Sequence, residues 1–391
     1  LNRRGFDREI RTDATLRSDT LYYLGHQLFV RDGATLTIEA GTVVLAFGSN
    51  TAIIVEPGGR LVAEGTRQAP VVLTCSSLVG QRRPGCWGGL RILGKAPVTR
   101  QQGVAPGVLP AERRVYGGTE ADGFSGLLRY VRVEFAGAAD EAQAPAPAIG
   151  LYGTGGATLL DHVQARHSLG AGFAFSGGSA RCDHCVASGS RSAGLSWERG
   201  WRGSAAHLYV QHGNTGLDGL AGGNDDQKHD AEPRSLPTLS NVTLVHAFPY
   251  GRRERKAVAL RLSTGSGVRV RDLLTTRFLA GAIDARGRSA LLFHEGESSV
   301  SGALLYGSAP RTLWGGIQDE VEFISHREPR LRDVRDFANP DPRPKADSPA
   351  LHDEGEGYIG AFGRKGNWLE EWTVFGPESA YDPREGDDAG N

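Results

Sequence analysis

The sequence predicts an all-β chain wound as a right-handed parallel β-helix, a solenoid with capped ends. Three observations carry that expectation. Glycine makes up 55 of 391 residues, about twice the usual ~7%, so tight turns are frequent and long helices are disfavoured. A glycine followed by an apolar residue recurs every 22 positions at Gly150-Leu151, Gly172-Phe173, Gly194-Leu195 and Gly216-Leu217. The segments between these points alternate apolar and polar residues and leave no room for a helix.

Each element follows from that repeat. Within the units a second strand recurs as Asp161-His162-Val163-Gln164-Ala165, Asp183-His184-Cys185-Val186-Ala187 and Ala206-His207-Leu208-Tyr209-Val210. Upstream, Val30-Arg-Asp-Gly-Ala-Thr-Leu36-Thr-Ile38 matches Val55-Glu-Pro-Gly-Gly-Arg-Leu61-Val-Ala63 at an offset of 25. Later strands at 241–245, 257–262, 267–273 and 301–306 keep the length and lose the strict spacing, so insertions lie between coils. A period of 22 to 25 with short strands describes a stack in which each coil pairs with its neighbours. Leucine-rich repeats share the period but require a regular LxxLxL frame, which is missing. With strands about 4.8 Å apart, roughly 12 coils form a rod on the order of 60 Å long. Two apolar ladders are expected inside it: Val163, Cys185 and Leu208, and Leu151, Phe173, Leu195 and Leu217. Open ends invite aggregation, so residues 1–20 are expected to cap one end of a β-helix spanning 21–332. Residues 333–391, with Trp368 and Trp372, are expected to cap the other.

Charge and cysteines bound the function. A net charge of −1 and a pI near 6.9 provide no field for nucleic acid or anionic lipid. The sequence holds no run of 18 apolar residues, so no transmembrane helix is expected. The chain has no Met, which implies that it begins after a cut and fits an exported protein. Cys75 and Cys86 flank a ten-residue loop that a disulfide can close, consistent with an oxidising compartment. Cys182 and Cys185 form a CxxC in a strand, without the helix N-terminus that activates a redox thiol. In an extended strand they sit about 10 Å apart, beyond the roughly 4.4–6.8 Å that a bridge requires, so they bond only if the strand bends.

The stretch from Val30 to Val44, Pro70-Val-Val-Leu-Thr74, Trp87-Gly-Gly-Leu-Arg-Ile-Leu-Gly-Lys95, Tyr116-Gly-Gly118, Ser125 to Gly137, Trp197 to Gly203, Pro233 to Thr243 and Tyr358-Ile-Gly-Ala-Phe362 resemble a family of secreted bacterial β-helix proteins, many of them lipoproteins. The resemblance covers most of the chain and implies fold and export rather than a reaction. Where relatives carry an Asp-Asp-Gly-Phe-Glu run, this chain reads Gly170-Ala-Gly-Phe-Ala174, so a role resting on those carboxylates does not transfer.

Candidate sites come from the residues themselves. In the loop 213–232, Asp218, Asn224, Asp225, Asp226 and Asp230 offer hard oxygen ligands that can wrap Ca²⁺, or they serve as a self-bonded Asx-rich loop. The spacing matches neither an EF-hand nor the nonapeptide repeat. His162, His184 and His207 fall at equivalent positions of three coils and point outward if Val163, Cys185 and Leu208 point inward. They form either a stacked ladder or a shared transition-metal site. Trp197, Trp201 and Tyr209 are candidates for a sugar-stacking platform. Glu134, Asp161, Asp183, Asp218 and Asp284 lie in or beside strands without forming a paired catalytic motif. Walker, GxSxG, HExxH and Rossmann signatures are absent; Gly153-Thr-Gly-Gly156 reads as a turn. The expected function is therefore a secreted or cell-surface, non-enzymatic structural or binding protein whose partner is an extracellular polymer, another surface protein or a second copy. The alternative is a polysaccharide lyase or glycoside hydrolase near Asp218 and Trp201, distinguished by a cleft with convergent acids.

Overall fold

Short strands joined by glycine turns stack in parallel from Asn2 to Ser325. The structure is a computed structural model that describes residues 2–138, 145–213, 217–246, 256–308, 313–352 and 357–376. A 15-stranded sheet has a main path of twelve strands, from Asn2–Gly5 through Gly126–Glu134, Leu159–Arg166, Arg181–Ser188 and Ser204–His212 to Val321–Ser325. An 11-stranded sheet runs beside it from Glu9–Ile10 through Phe173–Gly178 and Leu195–Glu198 to Leu313–Trp314. Every pairing within both sheets is parallel. The chain is a parallel β-helix of about the dozen coils expected.

The long strands of the first sheet bend sharply, so each supplies two sides of a coil. Arg60–Glu64 pairs only with the first half of Gly126–Glu134, and Val71–Cys75 only with the second. At the bend the backbone is left-handed, with φ of 48° at Tyr130, 56° at His162, 49° at His184, 47° at His207, 52° at Asn241 and 60° at Asp272. Asn, Asp and His tolerate that conformation better than most side chains. The bend explains the second cysteine pair. His184 resets the alternation, so Cys182 and Cys185 both face the core, and their Cα atoms lie 6.2 Å apart in a disulfide. Cys75 and Cys86 are also bridged.

The core is a column of aligned apolar side chains. Val163 pairs with Cys185, Leu208 continues that ladder to Val242, and all are fully buried. The second expected ladder is corrected. Ile149, Phe173, Leu195 and Leu220 stack in one column, whereas Leu151 stacks with Phe175 and Trp197. Leu217 lies outside the strand, and Gly216 lies outside the described residues. Turn lengths differ between coils, so the repeat of 22 is an average and the glycine-apolar pairs drift by two or three positions.

Two further differences concern the ends and the flanks. Within residues 1–20, Asn2–Gly5, Glu9–Ile10 and Ala14–Leu16 pair with the next coil, so the expected cap contributes strands to the first turn of the solenoid. Trp368 and Trp372 do not cover an end. The segment 357–376 lies along the outer side of the first sheet, where Trp372 meets Tyr130 and His162, and Phe362 and Phe375 cover Tyr209. A seven-residue helix, Arg288–His294, interrupts one turn. An insertion over 95–123 covers the first half of the second sheet, packing Val98, Val108 and Tyr116 on Phe29, Ile54 and Tyr152.

Candidate functional site

The second sheet is open where that insertion ends. Its outward positions are Ser196, Ala221 and Arg261 on successive coils. The small pair leaves a cleft of about 380 Å³, walled by Glu198, Arg199, Asp225, Asp226, Ser263 and Thr264. Arg261 at its edge ties down two neighbouring carboxylates, Asp218 and Asp284. Arg261 donates from Nε and Nη2 to Asp218, at 2.7 and 3.0 Å, and from Nη1 to Asp284 at 2.7 Å. Arg286 takes both oxygens of Asp284. Those bonds hold the Arg261 guanidinium above its usual pKa, with the Asp218 hydrogen bond as the largest cause. Glu198 accepts from Ser176 and lies 3.7 Å from Arg199. Asp226 is exposed, 3.7 Å from Arg100.

The loop proposed for Ca²⁺ spends its oxygens on itself and on arginines. Asp225 accepts from Arg100 and from the N–H groups of Gln227 and Lys228. Burial would raise its carboxyl, but these bonds outweigh burial and hold it below the usual range. Asn224 is buried and bonds His229, Ala231 and Ser235. Asp230 pairs with Arg234 and Arg288, and Asp218 with Arg261. Asp225 and Asp226 thus both face Arg100, Asp218 and Asp230 face other arginines, and Asn224 bonds backbone groups.

The histidines do converge. His162, His184 and His207 stack with centroids 4.4 Å apart and rings within 10° of parallel. Asp161 bonds His162 Nδ1 at 2.7 Å, and Asp183 Oδ1 lies 3.2 Å from His184 Nδ1 and 3.0 Å from His207 Nδ1. Burial would raise the Asp183 carboxyl, but the hydrogen bonds from both histidines hold it well below the usual range. Asp161, His162 and His184 form one metal-compatible group, and Asp183, His184 and His207 another. A metal must sit in the plane of each ligating ring at about 2.0–2.1 Å from nitrogen. Two face-stacked rings share no such point, so sharing an ion requires a ring to rotate. As they stand, the His162 and His184 imidazoles form a polar floor beneath Trp368 and Trp372.

The expected aromatic platform is corrected. Trp197 and Trp201 are core residues, at 2% and 0% exposure. Trp201 stacks on Phe175 at 4.3 Å and donates to the Ala180 carbonyl. Tyr209 points outward but is sealed under the 357–376 segment. Glu134 is likewise fully buried rather than a surface carboxylate.

Comparison with known proteins fits this geometry. The family described as pectate-lyase like beta helix domain matches residues 8–301. The chain belongs to that family. No curated protein matches the chain. Among solved structures, a crystal structure of Dettilon tailspike protein is similar at 9% identity and a TM-score of 0.35, covering 78% of this chain. The chain spans 62% of that structure's length.

Two histidines of this pectate-lyase-like β-helix, the buried His212 and the partly buried His167, give it a pH dependence. Burial pushes the His212 imidazole down to about 4, with His246 adding to the effect, and the His167 imidazole down to about 3 beside Arg166 and Arg191. Unfolding lets both bind protons near their ordinary pKa of about 6.5. Their contribution is therefore complete above about pH 6.5 and is lost as the pH falls toward 4. For His212 the loss is roughly 3 kcal/mol. Urea midpoints are expected to fall between pH 7 and 4.5, and His212→Gln is expected to flatten that slope.

Proposed function

We propose that this protein is an exported, non-enzymatic β-helix that offers a rigid exterior face to an extracellular polymer or a surface partner. The observation that carries this reading is the ion pairing around the open cleft. Glycoside cleavage requires one carboxyl poised as an acid and a second as base or nucleophile. Here Asp218, Asp225 and Asp284 are held by arginines. Lyase chemistry requires a base near neutrality, whereas Arg261 is pushed away from it. Among the described residues, the carboxyl that burial raises is Asp272, opposed by Arg271 and His352. It lies on the first sheet beneath the 357–376 segment, not in the cleft. The two bridged cysteine pairs support an oxidising compartment.

A glycan array combined with reducing-sugar release tests the proposal. Retention of a polymer without new chain ends is the expected result. New reducing ends or unsaturated termini that disappear in Glu198→Gln or Arg261→Gln would establish the enzyme instead.

A further inference from the structure

We propose that the histidine column binds a divalent nickel, copper or zinc ion through the Nε2 atoms of His184 and His207. The hydrogen bonds decide which nitrogens are free. A carboxylate only accepts, so Nδ1 of His162 carries the proton that faces Asp161, and Nδ1 of His207 the one that faces Asp183. His184 Nδ1 lies 3.2 Å from the same Asp183 oxygen. Each ring therefore turns Nδ1 to a carboxylate and keeps its lone pair on Nε2. Among the described residues, none bonds the Nε2 atom of any of the three. The side chains of His184 and His207 are 24 and 28% exposed, and neither Nε2 is sealed from solvent. A carboxylate on one ring nitrogen and a metal on the other is the usual arrangement of histidine ligands, because the hydrogen bond fixes the tautomer and raises the basicity of the free nitrogen. Imidazole suits nickel, copper and zinc, whereas calcium and magnesium take oxygen ligands.

The two rings stack 4.4 Å apart, so one must turn before they share an ion. His207 is placed to do so. It ends the stack, because Asn241 takes its position on the next coil. Trp368 and Trp372 contact His162 and His184, whereas the His207 ring meets only that of His184 among the described residues. The χ2 torsion of histidine joins an sp³ to an sp² carbon and has a broad profile, so the turn costs little. Asp183, 43% exposed in its side chain, is free to follow. Two imidazoles leave the other coordination positions to water, so the ion is expected to exchange rather than to serve as a closed structural centre.

These residues are separate from the open cleft, so failure here leaves the proposed function untouched. Calorimetric titration of the full chain with Ni²⁺, Zn²⁺ and Ca²⁺, each alone and then in competition, tests the site. Ni²⁺ and Zn²⁺ are expected to bind, and Ca²⁺ is not expected to displace them. His184→Asn and His207→Asn preserve the bend, since Asn241 holds the same left-handed backbone with φ of 52°, and far-UV circular dichroism checks the fold. Each is expected to weaken Ni²⁺ binding by roughly tenfold or more, and the two together to abolish it. A second readout needs no variant: Cu²⁺ is expected to quench Trp368, whose ring centroid lies 5.1 Å from that of His184. No binding of Ni²⁺ or Zn²⁺ by the parent, unchanged affinity in the double variant, displacement by Ca²⁺, or tryptophan fluorescence indifferent to Cu²⁺ would overturn the site.

Discussion

Glu134→Ala is expected to lower stability by on the order of 3–5 kcal/mol, because it strands two buried guanidiniums. Glu134 is fully buried, accepts from Thr74 at 3.0 Å and lies 3.4 Å from Arg132 and 4.0 Å from Arg166. The same arginines donate onward, Arg132 to the Trp372 carbonyl and Arg166 to that of Gly376. The carboxylate therefore offsets part of the charge of the two arginines that fasten the 357–376 segment to the sheet. Urea unfolding measures the loss, and tryptophan fluorescence reports release of Trp368 and Trp372. Glu134→Gln keeps an acceptor for Thr74 and is expected to lose less. Replacing all three charged residues together, as Arg132→Met, Glu134→Leu and Arg166→Met, is expected to restore much of the stability, since no unpaired charge is left behind. An Ala variant as stable as the parent would refute the anchoring role.

Trp201→Ala is expected to cost about 3–5 kcal/mol, the range for emptying a large aromatic site in a packed core. Trp201 is 0% exposed, stacks on Phe175 and lies 6.2 Å from Trp197. Trp201→Phe keeps most of the volume and loses the bond to Ala180, so a loss near 1 kcal/mol is expected. A sugar platform behaves in the opposite way: stability would stay constant while glycan binding fell. Thermal unfolding of both variants beside the array measurement separates the two roles.

Much of the architecture was legible because stacking copies a pattern from coil to coil. The offset of 25 near the N-terminus is realised residue for residue, with Val30 against Val55, Leu36 against Leu61 and Ile38 against Ala63. The histidine column was also readable, since its three members recur at intervals of 22 and 23 and the first two follow an aspartate. The glycine-apolar repeat was readable only in its average period. A strand alternates every two residues, so a shift of two leaves the pattern intact and hides the error. The cysteine bridge in the CxxC was hidden by a bend at a single residue, His184, that alternation does not encode. Exposure failed for another reason: Tyr209 does point outward, but residues more than 150 positions later cover it. The ion pairs that engage Asp225 and Asp230 join residues far apart, Arg100 with Asp225 and Arg288 with Asp230. No local motif announces such partners.

The strap along the flank changes how the rod should come apart. A stack held only by neighbouring coils peels from its last turn inward, one rung at a time. Here a single late segment touches Arg67 at one extreme and Asp272 at the other, so its carbonyls and N–H groups tie early turns to late ones. Fraying of the final rungs then cannot propagate without also stripping that brace. The cylinder should yield as one body under load, and the nascent chain acquires its full cooperativity only when residues 357–376 have emerged.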